Sequence, residues 1–365
     1  MNAKKYNNIK LGIGIGKSVV SFVLILCFVS LGYSQQLVSY LETIVSGDYL
    51  ILILFTVVTS IFLSLLFFPV KYFVEYHLEH KYQLSNQSIS AWLWEDTKGL
   101  FVGILIGFPI LLAFYFSIRT FEELWWLPFS LLMFVISVIL AKIVPIIILP
   151  IFYKIESLEN EDLKSTILAL AKDVGMKVEN IYSFNMSKNT KKANAAFTGL
   201  GKTKRILLGD TLLNEYSNDE IETVIAHELG HYKHKHIVKN IFISTVSSFL
   251  MFFLMATLYD LSLSWFEFSA RTEIAALPLL TLWGMLVGLI LTPIGNIISR
   301  KFEYEADNFA IKSTNKKDAF IETLNKLTEQ NMGDVEPHPL VEWFFYSHPS
   351  IKKRVAYIES LTRMD

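Results

Sequence analysis

With 365 residues, 52 % of them hydrophobic, and a mean hydropathy of +0.41, the chain is too apolar for an ordinary soluble protein and reads as an integral membrane protein. Its net charge of -1 gives no electrostatic case for binding nucleic acid. Cys27 is the single cysteine, in an apolar run, which excludes an internal disulfide framework and a multi-thiolate metal site and leaves histidines and carboxylates as ligands.

Lysines at the N-terminus precede the apolar run Val19 to Leu31, but no small-x-small cleavage signal follows in Gly32 to Gln36, so this run is expected to be a retained anchor. Six stretches are long enough to cross a bilayer: Leu11 to Tyr33, weakened by Lys17, then Tyr49 to Val70, Leu100 to Ile118, Trp125 to Ile151, Ile241 to Trp265 and Ile274 to Ile298. Basic residues are sparse after the first, third and fifth spans, where only Arg119 and Arg271 occur. They are dense on the other side. The positive-inside rule therefore places both termini and the two large polar segments in the cytoplasm. Lys142 lies toward the cytoplasmic end of the fourth span and is expected to snorkel.

This divides the chain into residues 1–151 with four spans, a polar segment 152–240, two spans in 241–298, and a polar segment 299–365. The first polar segment opens with an amphipathic helix whose apolar face is Leu163, Ile167, Leu168, Leu170 and Ala171. Partial alternation over Val178 to Phe184 predicts a strand. Asn194 to Thr198 and Lys204 to Leu208 flank a turn with Gly199, Gly201 and Lys202, which predicts a hairpin. Ser217 and Glu220 form a capping-box sequence that starts a further helix. The second polar segment is expected to be helical through Ala310 and again over Lys317 to Asn331, with a last helix after Pro349.

The helix begun at Ser217 carries His227-Glu228-Leu229-Gly230-His231. Histidines four apart share a helix face and can hold one zinc ion, with Glu228 within reach of a water on that ion as general base. Gly230 leaves room for another backbone. His234 lies on the same face but ~10 Å along the axis from His227, too far to share an ion. His236 is excluded in the same way, and both are expected to join Lys233 and Lys235 in an interfacial basic cluster. A catalytic zinc needs a third protein ligand. Two spans later the chain returns to the same side with Arg300-Lys301-Phe302-Glu303-Tyr304-Glu305-Ala306-Asp307. On a helix Glu303 and Asp307 share a face and Glu305 points away, so Glu303 can ligate and Asp307 can orient a ligand histidine.

Four blocks in this order, Asn194-Ala195-Ala196-Phe197 with Lys204 to Leu208, the pentad at His227, the run Ser299 to Asp307, and Ser347-His348-Pro349 followed by Arg354, resemble the integral-membrane zinc metalloproteases typified by the type I CAAX prenyl protease. The resemblance runs from the second span to the end. It implies an α-helical polytopic membrane protein of six to seven spans with a zincin-like α+β catalytic segment containing a small hairpin. It also implies one Zn2+ per chain held by His227, His231 and Glu303, with Glu228 as base and Asp307 as a supporting group. Asn194, Ala195, Ala196 and Phe197 would hold substrate backbone by strand addition, and His348 and Arg354 would be donors to the oxyanion. His338-Pro339 is a nearby decoy of the His348-Pro349 block. Eukaryotic members typically have seven spans around an intramembrane chamber, and six here imply a smaller or more open one. The expected partners are the bilayer and a peptide or protein substrate, lipidated or membrane-associated, at a bacterial cytoplasmic membrane. The competing readings are a membrane-protein quality-control protease and a non-catalytic zinc-binding membrane protein.

Overall fold

The computed structural model describes residues 2–175, 181–199 and 205–361. The N-terminal part is four long helices: α1 (Ala3–Ser30), α2 (Asp48–Lys71, continued through a π-helical turn to Lys81), α3 (Ile89–Phe121) and α4 (Trp126–Ile143). Helix is the form these apolar runs take because hydrocarbon offers no partner for backbone N–H and C=O groups. Their outer faces leave large apolar side chains exposed, among them Phe62, Leu65, Phe101 and Leu105, which acyl chains would cover.

The polar segment begins with strand β1 (Ile155–Ser157) and helix α5 (Glu161–Asp173). Leu163, Ile167, Leu170 and Ala171 of α5 are buried as expected, but Leu168 is exposed. One residue past Ile167, it is turned about 100° around the helix from that side chain. Strands β2 (Ile181–Phe184), β3 (Ala195–Thr198) and β4 (Arg205–Gly209) complete a sheet of order β1-β2-β4-β3. The expected hairpin is present as the antiparallel pair β3/β4, with Ala196 opposite Leu207, while β2 and β4 are parallel. Gly201, Lys202 and Lys204 of its turn, and Val178 to Asn180 before β2, lie outside the described residues. Helix α6 (Asn218–Lys233) follows, opened by the full capping box: Ser217 Oγ accepts from the Glu220 N–H and Glu220 Oε2 accepts from the Ser217 N–H at 2.8 Å.

Helix α7 (His236–Leu263) and helix α8 (Pro278–Thr314) form the last membrane hairpin. Helix α8 runs unbroken past Ile298, so the sixth span and the charged run after it are one rod of 37 residues. Among the described residues six helices are long and apolar enough to cross a membrane. Helices α9 (Lys317–Gln330), α10 (Pro339–Phe345) and α11 (Ile351–Leu361) close the chain. The sheet, α5, α6 and α9 share a core that includes Ile167, Ile206, Leu208, Ile225, Leu229 and Phe320. Edge strand β3 is pinned at its base, where the Ala193 N–H donates to Asn331 Oδ1 at 2.9 Å and Asn331 Nδ2 donates to the Ala193 carbonyl at 3.1 Å.

Candidate active site

Two helices build the site. A Cβ on Gly230 of α6 would lie 3.0 Å from Ala306 Cα and 3.1 Å from the Ala306 carbonyl oxygen on α8, so the absence of a side chain there sets how closely the two helices cross. That approach brings His227, His231 and Glu303 together. His227 Nε2 is 3.2 Å from His231 Nε2 and 3.5 Å from Glu303 Oε2, and His231 Nε2 is 3.3 Å from Glu303 Oε1. Ligand atoms on a tetrahedral ion with bonds of ~2.0–2.2 Å lie ~3.3–3.6 Å apart, so these spacings fit one metal. Glu303 is 4 % exposed, and its Oε2 is buried with no hydrogen bond. A buried carboxylate that faces two imidazole nitrogens with one oxygen unbonded is costly without a cation among them. Among the described residues this is the group of His, Cys, Asp and Glu side chains that could hold an ion.

Asp307, fully buried, accepts from His227 Nδ1 at 2.9 Å, which leaves the Nε2 lone pair toward the ion site. The same carboxylate takes a forked pair from Arg354, with Nε at 2.9 Å and Nη2 at 2.5 Å. Two donors of Arg354 are thus committed to Asp307, and Nη1 is the one directed toward Glu303, 3.8 Å away. Burial acts to lower the pKa of Arg354, and the Asp307 charge outweighs it and raises it. His348 Nε2 lies 3.4 Å from Glu303 Oε1 on a side chain 64 % exposed, open to a bound substrate. His338 instead caps α10, accepting from the Leu340 N–H, and takes no part in the site.

Glu228 Oε2 accepts a hydrogen bond from the Phe197 N–H at 3.3 Å. Strand β3 is an edge of the sheet, and the Asn194 carbonyl is bonded inward by the Gly209 N–H. Backbone groups alternate along a strand, so Asn194 and Ala196 face β4 while Ala195 and Phe197 turn their polar groups outward. This edge therefore runs past Glu228, with the backbone groups of Ala195 and the Phe197 carbonyl turned outward and the Phe197 N–H taken by Glu228.

At the site, the expectation for His236 is overturned. His236 is no part of an exposed basic cluster: it is 1 % exposed, its Nδ1 is 2.9 Å from His231 Nδ1, and its Nε2 is 2.9 Å from Glu305. The spacing argument extends α6 as a straight rod, but the helix stops at His234, and Lys235 adopts a left-handed conformation with φ of 59° that folds His236 back against His231. Glu305 does point away from the ion site, toward His236. His234 remains outside, stacked on the far side of the His236 ring at 5.5 Å.

Sequence comparison places this geometry in a family. The family model described as peptidase family M48 matches residues 157–362, which include every residue named above from α5 onward. The chain belongs to peptidase family M48. A second model, described as the CAAX prenyl protease N-terminal region with five membrane helices, matches residues 1–154, where four helices of spanning length are found among the described residues. This M48 chain is 33 % identical over 366 residues to the uncharacterized metalloprotease YhfN of Bacillus subtilis, covering 98 % of this chain and 84 % of that protein. It is 32 % identical over 314 residues to CAAX prenyl protease 1 of Saccharomyces cerevisiae, covering 80 % and 68 %. The crystal structure of S. mikatae Ste24p superimposes with a TM-score of 0.87 at 29 % identity, covering 98 % of this chain and 88 % of that one. The M48 chain is therefore a multi-pass membrane metalloprotease of the CAAX prenyl protease type.

Two expected results follow from the M48 site. Gly230→Ala must push α6 off α8, because the new Cβ meets backbone. Overpacking of this kind costs about 1–3 kcal/mol, so the melting temperature should fall, and metal affinity with it as Glu303 recedes; an unchanged melt and affinity would contradict the close crossing. The second concerns pH. Burial alone would lower the pKa of His227, but the Asp307 carboxylate bonded to Nδ1 and the Glu303 carboxylate facing Nε2 prevail and raise it to about 9 in the metal-free protein. A pKa raised above its unfolded value means that protonated His227 favours the folded apo state. That stability is full below about pH 6.5 and is lost as pH rises through about 9. A metal must displace the proton, so apparent affinity should rise about tenfold per pH unit up to about pH 9, with one proton released per ion in calorimetry across buffers. A flat profile would count against His227 as a ligand.

Proposed function

We propose that this peptidase is a zinc-dependent endopeptidase in which His227, His231 and Glu303 hold the ion and Glu228 is the general base. The observation that carries the reading is the buried Glu303 carboxylate, its Oε2 without a hydrogen bond and its two oxygens facing the two imidazole nitrogens, at spacings that suit a tetrahedral ion. Three nitrogen and oxygen ligands without thiolate suit zinc, and a site with three protein ligands keeps a position open for chemistry. Zinc bound there supplies Lewis acidity, making water a nucleophile near neutral pH and polarising the scissile carbonyl.

The chain's own residues do the rest. An extended peptide pairs with the outward backbone groups of Ala195 and the carbonyl of Phe197 on β3, which fixes its backbone beside Glu228. Glu228 takes the proton of the attacking water and returns it to the leaving amine. Its carboxylate is already held by the Phe197 N–H, so it is aimed before substrate arrives. His348, exposed beside Glu303, donates to the carbonyl oxygen as charge develops, and Nη1 of Arg354 adds positive charge from behind. Asp307 holds both His227 and Arg354 in place.

The distribution of Lys and Arg about the spans supports a cytoplasmic site, with both termini on that side. The CAAX prenyl protease relatives support a substrate that is membrane-associated and lipidated. The test is cleavage of a farnesylated and an unmodified peptide of the same C-terminal sequence by the purified full chain in lipid nanodiscs. Cleavage of the farnesylated peptide with the higher kcat/KM is the expected result. Cleavage of neither would overturn the endopeptidase reading, and equal cleavage would overturn the lipidated substrate.

A further inference from the structure

The two ligand histidines are supported differently. His227 is held directly by Asp307, whereas His231 reaches a carboxylate only through another imidazole. We propose that His236 and Glu305 are positioning residues that fix the tautomer and orientation of His231, so that metal affinity depends on how membrane helices α7 and α8 pack. This rests on the zinc ligand set proposed above.

The hydrogen count carries the argument. A carboxylate at Glu305 accepts only, so the proton of the 2.9 Å contact sits on His236 Nε2. With that proton on Nε2, His236 can offer a lone pair at Nδ1. The facing nitrogen, His231 Nδ1 at 2.9 Å, must therefore carry the proton of that contact. That assignment leaves His231 Nε2 unprotonated, and Nε2 is the atom 3.3 Å from Glu303 Oε1 and 3.2 Å from His227 Nε2. This assignment satisfies both contacts of His236 and frees the ligand atom of His231 for an ion, and reversing the His231–His236 link would put a hydrogen on that ligand atom.

The packing holds the chain of protons rigid. The His236 ring lies flat on Phe302 of α8, with centroids 4.2 Å apart and planes inclined by 10°. Lys239 of α7 stands 3.7 Å from the same Glu305 oxygen and helps to fix that carboxylate's position. His236 is the first residue of α7, so the membrane helix begins at the metal site's outer wall. The left-handed Lys235 makes this possible: residues other than Gly seldom adopt that conformation, and where one persists the surrounding structure holds it. Helix α8 thus supplies three carboxylates in five residues, Glu303 facing the ion, Asp307 behind His227, and Glu305 behind His231 by way of His236.

The test measures zinc affinity of the full chain in nanodiscs by competition with a chromophoric chelator, beside kcat and the melting temperature of the metal-free protein. His236→Phe keeps the ring on Phe302 and removes both nitrogens. Zinc affinity should fall about 10–100-fold, the range for loss of a partner behind a ligand, while the metal-free melt stays near that of the parent. His236→Gln can accept from His231 through its carbonyl and donate to Glu305 through its amide, and should restore affinity to within about threefold of the parent. Parent affinity in His236→Phe would overturn the proposal, as would a His236→Gln protein no better than His236→Phe. Failure of the underlying ligand assignment looks different: the parent itself would bind no zinc, or would bind it independently of Glu303.

Discussion

Replacing Glu228 by glutamine is expected to leave the zinc in place and to lower kcat by roughly 10²–10⁴-fold, the range for loss of a general base. The amide has the same shape, and its oxygen can still accept from the Phe197 N–H, so the carboxamide should stand where the carboxylate stands. It cannot take a proton at neutral pH. Glu228 is not in the group that could hold the ion, so metal content by elemental analysis should match the parent at about one per chain. Peptide cleavage at near the parent rate would remove Glu228 from the mechanism. Loss of zinc along with activity would move it into the ligand set. The same variant is a trap for finding substrates, because peptides that persist in membranes containing it but not in parent membranes are those the enzyme normally removes.

The second large effect is expected at Glu303. Glu303→Ala removes the one ligand that α8 contributes, leaving two histidines on α6, and zinc affinity should fall by more than the roughly 10–100-fold typical of losing a supporting group behind a ligand. Glu303 also faces the protonated His227 of the metal-free protein, so the melting temperature of the metal-free variant is measured beside its zinc affinity. Asp307→Ala makes a poorer test. Asp307 balances the buried Arg354, and stripping a buried charge of its partner costs about 3–5 kcal/mol, enough to confuse unfolding with metal loss. Full zinc occupancy in Glu303→Ala would require another third ligand.

Much of this site is legible in the chain because its signals are local. The capping box at Ser217 announces α6, the four-residue spacing of His227 and His231 puts them on one face, and Gly230 marks a close crossing. Glu303 and Asp307 stand four apart on a helix that two spans return to the same side of the membrane. What the sequence conceals depends on breaks and on distance. His236 is misread because a helical projection carries α6 straight on, and Lys235 is not a residue whose type signals a left-handed turn. The commitment of Arg354 to Asp307 joins residues 47 apart, and the bond from the Phe197 N–H to Glu228 depends on the sheet edge crossing α6. The parallel pairing of β2 with β4 likewise needs a crossover that no local pattern encodes. Leu168 shows a smaller error of the same kind, an apolar residue counted into a face it misses by one helical step.

The central claim is that one zinc ion, held between α6 and α8, makes peptide hydrolysis possible at a membrane. The most direct measurement follows zinc content and peptide cleavage in the same sample of purified chain as a chelator is added and then replaced by zinc. The account predicts about one zinc per chain at the start, loss of cleavage in proportion to loss of zinc, and recovery of both together. Undiminished cleavage by a protein stripped of its metal would contradict it.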